Sequence, residues 1–255
     1  MSDQSDAPPV TPRPAATVVL VRPAARAFEV LLLKRAARGD QFSGAWVFPG
    51  GLVDQHDALC HDHCAGLDDA TASGQLQLPA GGLSYHVAAI RECFEECGVL
   101  LGSSDSAGLT EPVRSSELWL GWRAALQRRE RAFDELCREQ GWRLAADRLW
   151  YIAHRITPPQ LPKRFDTRFF LALTPEGQVP MHDGDETVDH AWVAPSDLVA
   201  EGSPWHLMNV TRTIAQMLRP FDDLDALQAW ARSPRQVERV MRASPSAPWP
   251  RTPGA

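Results

Sequence analysis

The stretch Arg91-Glu92-Cys93-Phe94-Glu95-Glu96-Cys97-Gly98-Val99 limits the fold more than any other part of the sequence. At about 100° per residue, a helix places Glu92, Glu95 and Glu96 within roughly one 100° sector. Val87, Ile90, Phe94 and Cys97 fall on the opposite side, which is the side to bury. Ala88 and Ala89 flank the acidic sector and leave it open. Such a helix lays its apolar side on a sheet and turns its acids outward. Three converging carboxylates repel one another. A divalent cation relieves that repulsion, and hard carboxylate oxygens suit magnesium or manganese. A solvated charged face is the commoner origin of a glutamate cluster, and the helix taken alone fits that origin better. Its flanks change the weighing. The Gly50-Gly51 turn lies upstream and Gly98 directly follows the acids, which gives a loop–helix–loop with the acids on the exposed side.

Around this helix the sequence alternates strands and helices. Ala16 to Arg22 and Phe28 to Arg35 read as β-branched and leucine-rich strands, and Trp46-Val47-Phe48 as a short one stopped by Pro49-Gly50-Gly51. Residues 58–83 form a polar, glycine-rich insertion, a loop long enough to need a functional explanation. Ser84 is the expected N-cap of the acidic helix. Residues 115–140 read as one long helix or a helical pair, with Leu118, Trp122, Leu126 and Phe133 at helical spacing. Strand character returns at Leu149–Thr157, Arg168–Leu173 and His190–Val193. Short helices are expected at Leu207–Leu218, Leu224–Ala231 and Gln236–Arg242. Proline-rich segments at 1–15 and 243–255 are expected to be disordered tails, which leaves a single domain over 16–242. The fold class is α/β (α+β), with strands and helices mixed from start to finish.

Composition excludes several functions. The chain has 255 residues, with 26 Lys and Arg against 32 Asp and Glu, a formal net charge of −6. A mildly acidic chain lacks the basic field of a general nucleic-acid binder. It remains compatible with a phosphate substrate, because a bound cation reverses the local sign. The apolar runs, such as Val18-Val19-Leu20-Val21, fall far short of a membrane span, and the N-terminus does not read as a signal peptide. Five cysteines argue against a disulfide scaffold and for a reducing, cytoplasmic setting.

Gly51 followed by Arg91-Glu92-Cys93-Phe94-Glu95-Glu96-Cys97-Gly98-Val99 resembles the signature box of the Nudix hydrolase superfamily. That box runs Gly, five residues, Glu, seven residues, then Arg-Glu-apolar-x-Glu-Glu-x-Gly-apolar. The resemblance implies an α/β/α sandwich with a mixed sheet, an inserted loop within the box and additional C-terminal helices. Two departures stand out. Arg91 follows Gly51 by 40 positions, about 26 more than the box allows, and Asp57 stands where the box has a glutamate. An interrupted box is similar to the branch that contains the peroxisomal coenzyme A diphosphatases. So are Phe48-Pro49-Gly50-Gly51 and Ile156-Thr157-Pro158 followed by Lys163 to Phe170.

The resemblance implies magnesium- or manganese-dependent hydrolysis of a nucleoside diphosphate linked to another group, coenzyme A or acyl-coenzyme A being the leading substrate. Alternatives are ADP-ribose or a dinucleotide, or a Nudix module that binds a metabolite without cleaving it. Glu92, Glu95 and Glu96, with the Gly51 carbonyl, would hold the metal. Glu92 and Glu95 would serve catalysis, and Arg91 would pin a glutamate rather than meet substrate. The expected distal acid is Glu186, from the acidic group Asp183, Asp185, Glu186 and Asp189, whose plain alternative is a polar loop. Lys163, Arg164 and Arg168 are the expected phosphate partners. Strand alternation also puts Arg164, Asp166 and Arg168 on one face, so a structural ion-pair row weighs equally. Cys60-His61-Asp62-His63-Cys64 has zinc-type ligands at poor spacing and reads as insertion loop. Expected partners are a small nucleotide-type molecule, neither nucleic acid nor membrane, and a second copy in a candidate homodimer. The 58–83 insertion is a candidate lid or dimer contact.

Overall fold

The computed structural model describes residues 10–39, 43–104, 117–234 and 236–241. The expected tails at 1–9 and 243–255 lie outside the described residues, as do 115–116 at the start of the expected helical segment.

Among the described residues, eight strands build one mixed sheet. Its centre is β1 (Arg13–Pro23), which pairs antiparallel with β2 (Phe28–Arg35) and with β4 (Gly50–Leu52). β2 also pairs with the short β3 (Trp46–Val47). A second strand pair, β5 (Gly102–Ser104) with β6 (Trp142–Leu144), lies apart from the main sheet. On its other side β1 runs parallel to β8 (Phe165–Leu173), which pairs antiparallel with β7 (Trp150–Ile156). β9 (Thr187–Val193) adds to β2, and β10 (Arg239–Val240) to the edge at β7.

Successive side chains of a strand point to opposite faces. Val18 and Leu20 of β1 and Leu31 and Leu33 of β2 therefore pack with the acidic helix α2 (Gly82–Cys97), after α1 (Asp69–Leu76) in chain order. α3 (Glu117–Gln127) and α4 (Phe133–Gln140) lie on this same face. The alternate residues Val19, Val21, Val30 and Leu32 pack with Leu198 of α5 (Pro195–Leu198), Ile214 and Leu218 of α6 (Asn209–Leu218), and Leu227 of α7 (Leu224–Arg232). Cover on both faces explains why these strands are continuous apolar runs rather than alternating ones. The layering is the α/β/α sandwich with a mixed sheet.

Several details differ from the sequence reading, among them that the Gly50-Gly51 break is itself part of strand β4. β1 begins at Arg13, inside the expected tail, because the long β8 offers partners down to the Arg13–Phe165 pair. The described part of the expected helix Gln236–Arg242, residues 236–241, is not helical. Its Arg239 and Val240 pair with His154 and Arg155 at the sheet edge, where tertiary pairing overrides local propensity. Residues 58–83 are no plain loop but carry most of a 3-10 helix (Gln55–His63) and all of α1. Finally, α2 starts at Gly82 rather than after Ser84.

The last two share a cause. The polar residues of the insertion cap helices. Asp68 accepts from the Thr71 amide at 2.7 Å, and Asp69 accepts from the Gly81 and Leu83 amides at 2.9 Å each, closing the N-terminus of α2 from a distance. Gly82 is required there, since a Cβ would stand 2.3 Å from the Ser73 backbone nitrogen. Ser84 instead pairs its hydroxyl with His61 Nε2 at 3.0 Å. With α1 and the 3-10 helix packed on α2, Ala88 and Ala89 are fully buried. The 115–140 segment is a helical pair, broken between Gln127 and Phe133.

Candidate active site

Phe94 sets the aim of the acids. It lies between Glu92 and Glu95 in sequence, is fully buried, and meets Trp119 and Trp142 edge-on with ring centroids at 4.9 and 5.2 Å. Such pairs contribute about 1 kcal/mol each beyond their burial. This aromatic anchor fixes the rotation of α2, so Glu92, Glu95 and Glu96 face the Gly50–Leu52 strand. There, Gly51 is the residue that allows approach. A Cβ on it would lie 2.4 Å from the Glu92 carboxylate. The Gly50 amide donates to Glu96 Oε2 at 3.1 Å.

Arg91 organises the rest. Its Nε donates to Asp57 Oδ1 at 2.7 Å and its Nη2 to Asp57 Oδ2 at 3.1 Å, a forked contact with a carboxylate that is 1% exposed. Nη2 also reaches the Leu52 carbonyl at 2.9 Å, while Nη1 donates to Glu92 Oε1 at 2.8 Å and Glu95 Oε1 at 3.2 Å. Asp57 thus lies behind Arg91, away from the glutamates. The Asp54 amide fixes it from the other side at 2.7 Å. The shorter acid acts through the arginine, a task that the sequence alone did not reveal.

One guanidinium stands against four carboxylates. Burial works against the charge of Arg91, but the Asp57 hydrogen bond and the Glu92 and Glu95 charges more than offset it and keep it protonated. The acids move the other way. Burial pushes Glu95 up to about 7, against the pull of Arg91. Burial, and then the Glu92 charge, raise Glu96. Glu92 is raised by burial despite Arg91, with Asp57 and Glu186 adding to the effect. Among the described residues no three His, Cys, Asp or Glu side chains already form a metal cage. The glutamates are tied to Arg91 and the Gly50 amide. Their chemistry nevertheless fits a hard divalent cation: oxygen donors only, excess negative charge, and a glycine backbone at contact distance.

Glu186 precedes β9 in a tight turn, in which Asp183 Oδ1 accepts from the Asp185, Glu186 and Thr187 amides at 2.6, 2.7 and 3.3 Å. Its charge acts on both Glu92 and Glu96, so the turn brings Glu186 to the mouth of the acid cluster. All of these acids line one cleft of about 1600 Å³. Of the three basic residues singled out in sequence, only Lys163 lines it. Arg164 is buried and donates to the Thr157 and Val10 carbonyls at 3.0 and 2.5 Å. Arg168 is buried against Asp166 at 2.7 Å, with its guanidinium carbon 4.6 Å from the centre of the Tyr85 ring, and Asp166 also holds His154. Of the alternative row, Asp166 and Arg168 pair, while Arg164 stands apart on backbone carbonyls. The cleft instead takes cations from Arg13, Arg35, Arg129, Arg155 and Arg212, which sequence reasoning missed because they stand on five separate elements or loops. In the Cys60–Cys64 run, Cys60 is buried, Cys64 Sγ lies 3.5 Å from the Cys60 carbonyl and His61 is on Ser84.

A mixed sheet between helices, with an Arg-Glu-x-x-Glu-Glu helix facing a glycine strand, defines a Nudix domain. The chain belongs to the NUDT19 Nudix domain family, whose sequence profile matches residues 60–203. The match includes the acid helix and begins after Gly51 and Asp57. The chain is 29% identical over 217 residues to the human acyl-coenzyme A diphosphatase NUDT19, covering 69% of this chain and 56% of that protein. The Xenopus laevis protein of the same name is 26% identical over 208 residues, covering 68% and 54%. The chain thus spans about half the length of these relatives. A Nudix hydrolase crystal structure from Alicyclobacillus acidocaldarius superposes with a TM-score of 0.70 at 26% identity, over 86% of this chain and 96% of that one.

Proposed function

We propose that this chain hydrolyses a phosphoanhydride bond in a nucleoside diphosphate joined to another group, with coenzyme A or acyl-coenzyme A as the substrate. The observation that carries the reading is the four-to-one excess of carboxylate over guanidinium beside the Gly51 backbone, at one end of a cleft rimmed by cations. The names of the relatives support the substrate, and the size of the cleft suits a ligand as long as coenzyme A.

Glu92, Glu95, Glu96 and the Gly51 carbonyl would hold magnesium or manganese. That cation would supply charge neutralisation on the phosphate oxygens and a lowered pKa for the attacking water. Arg91, backed by Asp57, orients Glu92 and Glu95 as an outer partner of those ligands. The Glu186 carboxylate, exposed on its turn, accepts the proton of the attacking water. Lys163, with Arg13 and Arg155 on neighbouring strands, binds the phosphates farther from the reacting bond. All five cysteines are free thiols, which suits a cytoplasmic protein. Among the described residues no helix is long and apolar enough to cross a membrane.

The test is incubation with coenzyme A, acyl-coenzyme A, ADP-ribose and NADH, with and without magnesium or manganese, followed by product masses. A metal-dependent split of coenzyme A into an adenosine bisphosphate and a phosphopantetheine product is expected. Cleavage of another conjugate alone would remove the substrate and keep the reaction. Binding without turnover of any of them would make the chain a metabolite-binding module.

A further inference from the structure

The last turn of α2 carries Glu95 and Glu96, and a helix C-terminus is a poor place for them. Its final carbonyls have no partner within the helix, and its dipole is negative there. α3 resolves both difficulties. Trp119, Arg123 and Gln127 fall at successive fourth positions, on one face of α3. Trp119 Nε1 donates to the Gly98 carbonyl at 3.2 Å, and Gln127 Nε2 to the Glu95 carbonyl at 3.0 Å. Arg123 donates to the same Glu95 carbonyl from Nε at 3.3 Å and from Nη2 at 3.1 Å.

Arg123 reaches a third chain segment as well. Its Nη2 donates to the Met181 carbonyl at 2.8 Å, and the Met181 amide donates to the Cys97 carbonyl at 2.9 Å. Thr187 Oγ1 donates to the Glu96 carbonyl at 3.4 Å. The segment that carries Glu186 is therefore stitched to the end of the acid helix on both sides of Glu186. Arg123 is 4% exposed, and among the described residues its hydrogen bonds go to backbone carbonyls, not to a carboxylate. A buried cation at a helix C-terminus offsets the dipole and the neighbouring glutamates together.

We propose that Arg123 is a positioning residue, which locks the Glu95–Glu96 turn of α2 and the Glu186 segment into one register. The inference rests on the hydrolase reading above. Without Arg123, the two segments that carry the metal-holding carboxylates and the proton acceptor keep the Met181–Cys97 and Thr187–Glu96 hydrogen bonds but lose the side chain that bridges them.

The test compares the full chain with Arg123→Lys and Arg123→Met in three measurements. These are kcat and KM with coenzyme A, manganese binding by electron paramagnetic resonance, and hydrogen exchange without metal. Arg123→Met should lower kcat and manganese affinity by roughly 10- to 100-fold, as loss of an outer partner does, while KM changes little. Arg123→Lys, which keeps the charge, should recover part of both. Exchange should quicken in peptides covering 94–99 and 181–187 and stay unchanged in β1 and β8. If Arg123→Met does not fold, the lysine variant carries the same three readouts. Wild-type kcat and manganese affinity in the folded variants would overturn the proposal, and so would exchange that rises equally along the chain. A wild-type protein that neither binds manganese nor cleaves any conjugate would instead sink the hydrolase reading and take this proposal with it.

Discussion

Two charged clusters stand out in this chain, and they have opposite fates. On α2, Glu92 and Glu95 share Arg91 with Asp57, Glu96 takes the Gly50 amide, and all four line the cleft. On β7 and β8, Asp166 sits between His154 and Arg168, and Arg168 also lies over Tyr85. The second cluster is close to matched: Asp166 pairs with both His154 and Arg168, and Arg168 packs on Tyr85 of α2, although its buried Nε has no hydrogen-bond partner among the described residues. The first is short of positive charge and open on one side. Proximity of charges is therefore a weak sign of function. What separates the two is whether the counter-charge is complete within the protein, because an incomplete set must take up protons or an external cation.

Glu95→Gln or Glu96→Gln should give the largest effect. Turnover should fall by more than the roughly 100-fold typical of outer partners, with the fold retained by circular dichroism. Full activity in both variants would break the metal-site assignment. Arg168→Met should do the reverse, lowering unfolding free energy by roughly 3 kcal/mol in a denaturant titration while kcat/KM of the folded protein holds. A loss of kcat/KM with intact stability would move that cluster into the site.

The third difference is in pH. Glu95 stands near 7 in the metal-free fold, above its ordinary value of 4.5, so between these values the native state binds more protons than the unfolded chain. The stability of the metal-free protein should then fall as pH rises from about 5 to 7, by an amount on the order of 2 kcal/mol. Glu95→Gln should flatten that slope and raise Tm above pH 7. Parallel Tm curves for the two proteins in chelator would refute it. The smallest effect belongs to Lys163, the one cation of its group on the cleft. Lys163→Ala should raise KM for coenzyme A several-fold, about 0.5–1 kcal/mol, and leave kcat alone, whereas an unchanged KM would detach it from substrate.

Short-range patterns carried the mixed α/β class and the acid helix well, and the resemblance supplied the sandwich. Val18–Val21 and Leu31–Leu33 announce buried strands, and Glu92, Glu95 and Glu96 share a helix face whatever surrounds them. Of the row that alternation offered, Arg164, Asp166 and Arg168, the last two pair and Arg164 does not. What could not be read were partnerships across the chain. Asp69 capping the α2 start, Asp57 backing Arg91, and the Arg123 contact with Met181 span 14, 34 and 58 positions. The polar insertion looked like a loop because residues that cap helices have the same composition as loops. Arg239 and Val240 looked helical because their strand partners lie on distant β7.

The pairing of β1 with β8 has a consequence for how the chain is made. Arg13 meets Phe165 and Val21 meets Leu173, so the parallel partner of the central strand emerges from synthesis about 150 residues after it. β2 and β4 arrive early and protect parts of β1, yet the Val18–Val21 run keeps one open edge until β8 appears. Loop closure of that length is slow, and an apolar edge left waiting invites pairing with another nascent chain. The caps that hold α2 come from residues 69 to 127 and can form first, as a local unit. Closure of the sheet by β8 is then the late step of folding, and a chain cut short before residue 173 lacks part of the strand that completes its centre.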